Sequence, residues 1–454
     1  MAISTHDFIH KLQWADIPVA TQSMARQCLL DLLGVAASGT QTQLSKIIRQ
    51  HALSQFGSTV KPARLLFDGR TCSTAGSALA TGMTIDSIDA HDGYKPIKGH
   101  AGCGVLAALL ALHDSVNQNN VSEAELLTGL VIGYELGCRA GGSLHHSVTD
   151  YHTSGAWVAL ATAALGARIL KLDTEQTRHA LGIAEYHGPR SQMMRCIDHP
   201  TMLKDGSGWG SMAGVSAALL AKDGFTGAPA ITVEAESQAE FWNDLGDEWL
   251  INQQYFKPFP VCRWAQSAAI AALNLQREHQ IEAANISTVR IGSFHESVRL
   301  ATANPVTTEQ AQYSLPFPVA AALIHKQITV SEIDGEGLQD ASVQSLSRSI
   351  ELYEVDAYND VFPERRISEV SITLDDGRTL ESGPTEADGD PEIPLSESDI
   401  ENKFYLFAEP VLGQQHTEQL FHHVRQMGSD TDINTFNSLI YATRLRLTEL
   451  RHGS

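Results

Sequence analysis

Apolar positions recur at helical intervals through most of the first 260 residues. In "ATQSMARQCLLDLLGVAASG", Met24, Cys28, Leu29, Leu32, Leu33 and Val35 fall on one helical face, and the run stops at Gly39. The stretches "EAELLTGLVIGYELGCRA", "GAWVALATAALGARILKL" and "GSMAGVSAALLAKDGF" are dense in alanine, leucine and glycine. Side chains that small let helices approach closely, so these predict core helices of a tightly packed domain. Their glycines weaken each helix on its own and shift its support to tertiary contacts.

The period changes after about residue 270. "ISTVRIGSF" and "ISEVSITLDDGRTLES" alternate apolar and polar residues, with Asp376-Gly377 as a hairpin signal in the second. "PVAAALIHKQI" and "SVQSLSRSIELY" read as helical, "GPTEADGDPEIPLS" as a loop, and the pattern from "DIENKFYLFAEPVLG" to "LIYATRLRLTEL" as helical again. The expected fold is mainly α. A large all-helical domain covers residues 1–266, a smaller α+β lid domain covers 267–400, and C-terminal helices over 401–454 return to the helical domain. A chain of 454 residues is too long for a single core, which agrees with that division.

Composition narrows the functions. Lysines and arginines number 32 against 53 acids, a formal charge of −21. Nucleic acid and anionic membranes demand basic surface, so neither is an expected partner. Six cysteines stand singly with no CxxC pair, as in reduced thiols of a cytoplasmic protein. "MAISTHDFIHKL" has no signal-peptide pattern, and no apolar run reaches the roughly 18 residues of a membrane span.

The densest chemistry lies in "DSIDAHDGYKPIKGHAGCGV", residues 86–105. Asp89, His91, Asp92 and His100 are metal-ligand types, and Asp86 and Asp89 have helical spacing. No second cluster of acids and histidines completes such a set, so no metal is expected. The other reading is a cationic acid–base pocket, with Lys95, Lys98 and His100 leading into a helix that begins near Gly102. A helix N-terminus disfavours a charged imidazole and keeps the histidine competent to take a proton. The plain alternative is that these lysines are solvated, as most loop lysines are.

Three other segments have the same character ahead of helices: Asp150, Tyr151 and His152; Arg195, Asp198, His199 and Lys204; Lys257 and Arg263. Each alone fits a polar capping loop. Together they describe a pocket where cations clamp the carboxylates of a small anion and a histidine or lysine moves a proton. GxSxG, HExxH and GxxxxGK[ST] motifs are missing, and the glycines at 102 and 104 follow no predicted strand.

At these residues the chain resembles the MmgE/PrpD family, from "LLDLLGVAASG" through "PLSESDIENKF". Its members include 2-methylcitrate dehydratase, cis-aconitate decarboxylase and iminodisuccinate epimerase. The resemblance implies a helical domain built from both chain ends, an inserted α+β lid and a homodimer. It implies a small carboxylate substrate and neither a metal nor an organic cofactor. The family's Asp-rich motif and following histidine match Asp89 and His100, its next histidine matches His152, and a loop lysine matches Lys204. Arg263 falls where some members carry histidine. Dehydratases and decarboxylases of the family typically read Asp-Asp-Thr-Trp where this chain has His91-Asp92-Gly93-Tyr94, and a lid tyrosine of the decarboxylase falls at Phe317.

Those departures remove two hydroxyl groups. Expelling water needs a proton donor for the departing hydroxide, whereas exchanging a proton beside a carboxylate needs only a base, an acid and cations. The expectation is therefore an isomerase, an epimerase of the iminodisuccinate type. The alternatives are a 2-methylcitrate dehydratase-type hydro-lyase, with Tyr94 or Tyr151 supplying the hydroxyls, a cis-aconitate decarboxylase type, and a non-catalytic carboxylate-binding scaffold. The expected roles are His100 or Lys98 as base, Lys204, His152 or Tyr151 on the opposite face, Asp89 tuning the base, and Arg195, Lys257 and Arg263 as clamps.

Overall fold

The alanine-rich runs form helices that bury nearly every side chain they carry. In the computed structural model, which describes residues 3–116 and 121–441, a first core gathers six long helices. They are α1 (Val19–Gly39), α2 (Thr74–Asp86), α3 (Gly102–Val116), α4 (Glu123–Ser147), α5 (Gly155–Leu170) and α6 (Ser207–Lys222). Small residues set the helix spacing. A Cβ on Gly214 of α6 would lie 2.2 Å from the Ala159 carbonyl oxygen of α5, and one on Gly82 of α2 would lie 2.7 Å from the Gly208 Cα. Ser73 and Ser122 cap α2 and α4 by accepting backbone N–H bonds in the first turn.

Two short ribbons interrupt the helical pattern. One joins β1 (Ala63–Arg64) to β2 (Thr71–Cys72), and the other joins β3 (Gly93–Tyr94) to β4 (Gln254–Tyr255). The second decides function, because it ties the chemistry-rich 86–105 segment to the chain just before Lys257.

A second core forms where α7 (Arg263–His279) packs against a five-stranded sheet. There β5 (Ile286–Ser293) pairs parallel with β6 (Glu351–Glu354) and antiparallel with β7 (Ile367–Leu374). The strands β8 (Thr379–Glu381) and β9 (Thr385–Glu386) both pair with β7. Along β7, Val370, Ile372 and Leu374 are buried while Glu369, Ser371 and Thr373 are half-exposed. The predicted turn closes the β7–β8 hairpin with Gly377 at φ 85°, a backbone region that favours glycine. One helix expectation ends early: "SVQSLSRSIELY" is helical only to Ser349, and Glu351–Glu354 leaves it to pair with β5. Tertiary pairing overrides local propensity there.

The C-terminal helices α8 (Glu397–Leu412) and α9 (Gln414–Gln426) pack back on the first core through Phe404, Phe407, Leu420 and Phe421. Lys403 of α8 reaches the Asp31 carboxylate of α1 at 2.5 Å and the Ala90 carbonyl at 2.6 Å. The last part of the predicted tail helix, residues 442–450, lies outside the described residues. Among the described residues no helix is long and apolar enough to cross a membrane.

Candidate functional site

The loops before α3, α6 and α7 meet beneath the edge of the sheet domain. Asp89, Lys98, His100, Lys257 and Arg263 line one small cavity. Lys204 is buried against it, with its ammonium 4.6 Å from the ring of Tyr313, another wall residue. Asp89, Lys98 and Lys204 all hold left-handed backbone, with φ of 51°, 51° and 50°. Non-glycine residues in that region cost about 1–2 kcal/mol each and cluster at functional sites, where the surroundings enforce them.

Hydrogen bonds assign the state of the central groups. His100 donates from Nδ1 to the Asp92 carbonyl oxygen, an atom that only accepts, so Nε2 is left as the acceptor nitrogen. The His100 backbone N–H donates to Ser154 Oγ at 2.9 Å, and Ser154 in turn donates to the Asp205 carboxylate. Lys257 gives two 2.9 Å bonds to Asp89, one to its carbonyl and one to Oδ1. Lys204 donates to Gln312 Oε1, and Gln312 donates to the Ser87 carbonyl at 2.9 Å.

Burial, together with the Lys257 ammonium, pushes the His100 imidazole well below its ordinary pKa. The helix N-terminus invoked from sequence is thus secondary to desolvation. Burial also lowers Lys98 to about 8, with Arg366 adding to the shift. Burial raises Asp205 to about 6, with Asp86 adding to it. Burial opposes ionisation of Asp89 too, yet Lys257 and Lys204 outweigh it and hold that carboxyl below its usual range. The phenols of Tyr255 and Tyr313 are raised, chiefly by desolvation, and stay protonated.

Several predicted residues stand apart. Tyr151 is exposed and sends its ring to the rim, 3.5 Å from the Lys98 ammonium. His152 is half-buried beside it, and its backbone N–H donates to His145 Nε2 at 3.1 Å. Tyr94 is buried, with its hydroxyl 3.4 Å from Gln253 Oε1 rather than on the cavity wall. Arg195 sits on the short helix Met194–Asp198, whose neighbours Met193 and Ile197 line the cavity. A residue two positions from each of these lies on the other helical face, and Arg195 is exposed there. Arg263 holds Asp390 and the Ala387 and Asp388 carbonyls through its Nη groups.

Asp205, Tyr255, Tyr313 and Arg366 are ionisable wall residues that were not singled out from sequence. Asp205 follows Lys204, Tyr255 stands two residues before Lys257, and Tyr313 lies within "QYSLP", so proximity to chosen motifs was the available signal. Arg366 sits among other charges in "ERRIS" and carries none. Gly93 is explained by Tyr255: a Cβ at 93 would lie 2.5 Å from the Tyr255 hydroxyl and 2.7 Å from His100 Nδ1. The phenol occupies the room that a threonine side chain would need. Phe317 is fully buried in the sheet-domain core and does not line the cavity.

Asp86, Asp89 and His91 hold their ligand-type atoms within 4.8 Å of one another. Protein groups already bond these atoms: Lys257 donates to Asp89 Oδ1, and His91 Nε2 lies 3.2 Å from Asp86 Oδ1. Larger hollows exist elsewhere, and His6, His10 and His113 line one of them. In one of about 520 Å³ Arg49 is paired with Asp68, and in another of about 780 Å³ Arg168 is paired with Glu125.

Comparison with known proteins agrees with this two-part architecture. The model for the MmgE/PrpD N-terminal domain matches residues 4–242, and that for the MmgE/PrpD C-terminal domain matches residues 259–426. The chain is 25% identical to cis-aconitate decarboxylase of Homo sapiens, over 95% of this chain and 92% of the relative. It is 23% identical to 2-methylcitrate dehydratase of Salmonella typhimurium, over 77% of each chain.

Proposed function

This chain belongs to the MmgE/PrpD family, and on that premise we propose that it is a cofactor-independent lyase acting on a small di- or tricarboxylate. The observation that carries the reading is the pairing of a neutral buried base, His100, with a proton-bearing Lys98 in one cavity with Lys257 and the two protonated phenols. That combination suits elimination of water. His100 Nε2 takes the proton from the carbon beside a carboxylate, and the carbanion's charge spreads into that carboxylate near Lys257 and Lys204. Lys98, with a pKa of about 8, donates a proton to the departing hydroxyl. A group that titrates near working pH is a better donor than either raised phenol. Tyr255 and Tyr313 supply the hydroxyl groups whose loss at Gly93 and Phe317 argued from sequence against a dehydratase.

The epimerase remains the second reading, favoured by those two departures. Proton removal is common to both, and the fate of the carbanion separates them. Proton NMR in D2O with citrate, 2-methylcitrate, cis-aconitate and aminated dicarboxylates distinguishes the outcomes. An unsaturated acid formed with loss of water supports the hydro-lyase. Release of carbon dioxide moves the reading to decarboxylation, and deuterium exchange with no other product moves it to epimerisation. No turnover or exchange across the panel sinks the enzymatic reading.

A further inference from the structure

The cavity contains a cation whose hydrogen-bonding capacity is mostly unused. Arg366 immediately precedes β7, at the edge of the sheet domain, and is 4% exposed. Its Nη2 donates to the Lys95 carbonyl oxygen at 3.2 Å, across to the helical domain. Nε and Nη1 are buried and make no hydrogen bond among the described residues, and Arg366 forms no ion pair there. The other wall arginine leaves only Nε unpaired among the described residues, because Arg263 already holds Asp390 and two carbonyls. Lys257 already holds Asp89.

A guanidinium carries five donors in a planar fork that matches a carboxylate edge, and burying the three on Nε and Nη1 unpaired is costly. Arg366 lies close enough to depress both His100 and Lys98, and its guanidinium carbon is 5.6 Å from the ring of Tyr255. The surrounding space is about 40 Å³, enough for a few waters and far too small for a tricarboxylate. Entry therefore requires the sheet domain to lift. The segment that must lift holds Arg366 and also Phe362, which sits 5.9 Å from the Lys98 ammonium.

We infer that Arg366 is the carboxylate receptor of this site: carried in by the closing sheet domain, it grips with its unpaired N–H groups a carboxylate of the substrate other than the one beside the reacting carbon. The inference rests on the proposed substrate class but not on the reaction. Closure and recognition of negative charge become one event, because Arg366 reaches the cavity and the Lys95 carbonyl that orients it only when the domain edge comes down. Acids with a second carboxylate are then preferred over monocarboxylates.

The test uses tricarballylate, a saturated tricarboxylate with no hydroxyl to eliminate, titrated calorimetrically into the full-length protein. Arg366→Gln is expected to weaken its binding about 10- to 100-fold. Arg366→Lys keeps the charge, loses the fork and is expected to weaken it about tenfold. Arg290→Gln, which removes an exposed charge from the same sheet, is expected to leave it unchanged. If Arg366→Gln does not fold, Arg366→Lys carries the test alone. Binding within threefold of wild type by a folded Arg366 variant overturns the assignment, as does no binding by wild type. Arg366-dependent binding with no turnover of any acid in the panel upholds the receptor while the lyase reading fails.

Discussion

His100 and Lys98 sit two residues apart, and burial moves each towards its task in a predictable direction. The histidine must be neutral to accept a proton, and its lowered pKa keeps it so down to acidic pH. The lysine must be charged to donate, and it loses its proton as pH rises through about 8. The kcat/KM profile of the active enzyme is therefore expected to be flat between about pH 6 and 7.5 and to fall above about 8. Lys98→Arg, whose guanidinium does not deprotonate, is expected to lose about 10²- to 10⁴-fold in rate and to lose the alkaline limb. A pH–rate series on both proteins checks this, and an alkaline limb unchanged in the variant removes Lys98 from the role. At this scale the sequence was half legible. Asp89, Lys98, His100 and Lys257 stood out as titratable groups in loops ahead of alanine-rich helices. Arg366 and Tyr255 did not, because an arginine among charges and a tyrosine before a lysine look like ordinary surface residues until burial is known.

Helices were legible because the 3.6-residue period and the small residues both come from packing against neighbours. Their contact points show why the glycines are there. A Cβ on Gly214 meets Ala159 O at 2.2 Å and Thr162 Oγ1 at 2.0 Å, and backbone cannot swing aside as a side-chain tip can. Gly214→Ala is expected to push α6 from α5 and to cost about 1–3 kcal/mol in a denaturant melt. A loss below about 0.5 kcal/mol would show that the helix pair is loosely packed. The β7–β8 hairpin was equally plain, since Asp376-Gly377 and the alternation of Val370, Ile372 and Leu374 specify turn and face together. Strand β6 was missed because four residues carry too little period to outweigh the helix before them. The Gly93–Tyr94 ribbon was missed for the same reason, although it sets Tyr255 beside His100.

The whole molecule holds its cationic chamber inside a chain of formal charge −21, so any attraction for a polyanion is local to the site. The architecture also returns its C-terminal helices to the first core, where Lys403 and Asp31 form a buried ion pair. Removing one partner leaves an uncompensated charge in the interior. Lys403→Met is expected to destabilise by about 3–5 kcal/mol, whereas Lys403→Met with Asp31→Leu is expected to recover much of that loss. Thermal and denaturant melts of the three proteins decide it, and equal stability of the single and double variants would discard the ion pair as the cause. Lys403 also donates to the Ala90 carbonyl, within the loop that carries Asp89, so this pair joins the chain's return to the site's geometry.

The linear order of residues determined the periods, the hairpin, the change from helical to mixed structure, and the loops in which acids, histidines and lysines collect. Each of those is a local property, because side-chain size and polarity repeat along a few turns or strands. Only the folded chain decided that Lys257 and Arg263 are occupied by Asp89 and Asp390, that Arg195 faces away, that Tyr255 fills the room left by Gly93, and that Arg366 keeps two donor nitrogens unpaired among the described residues. Those depend on burial and on the charge of neighbours, which segments more than a hundred residues apart supply to one another.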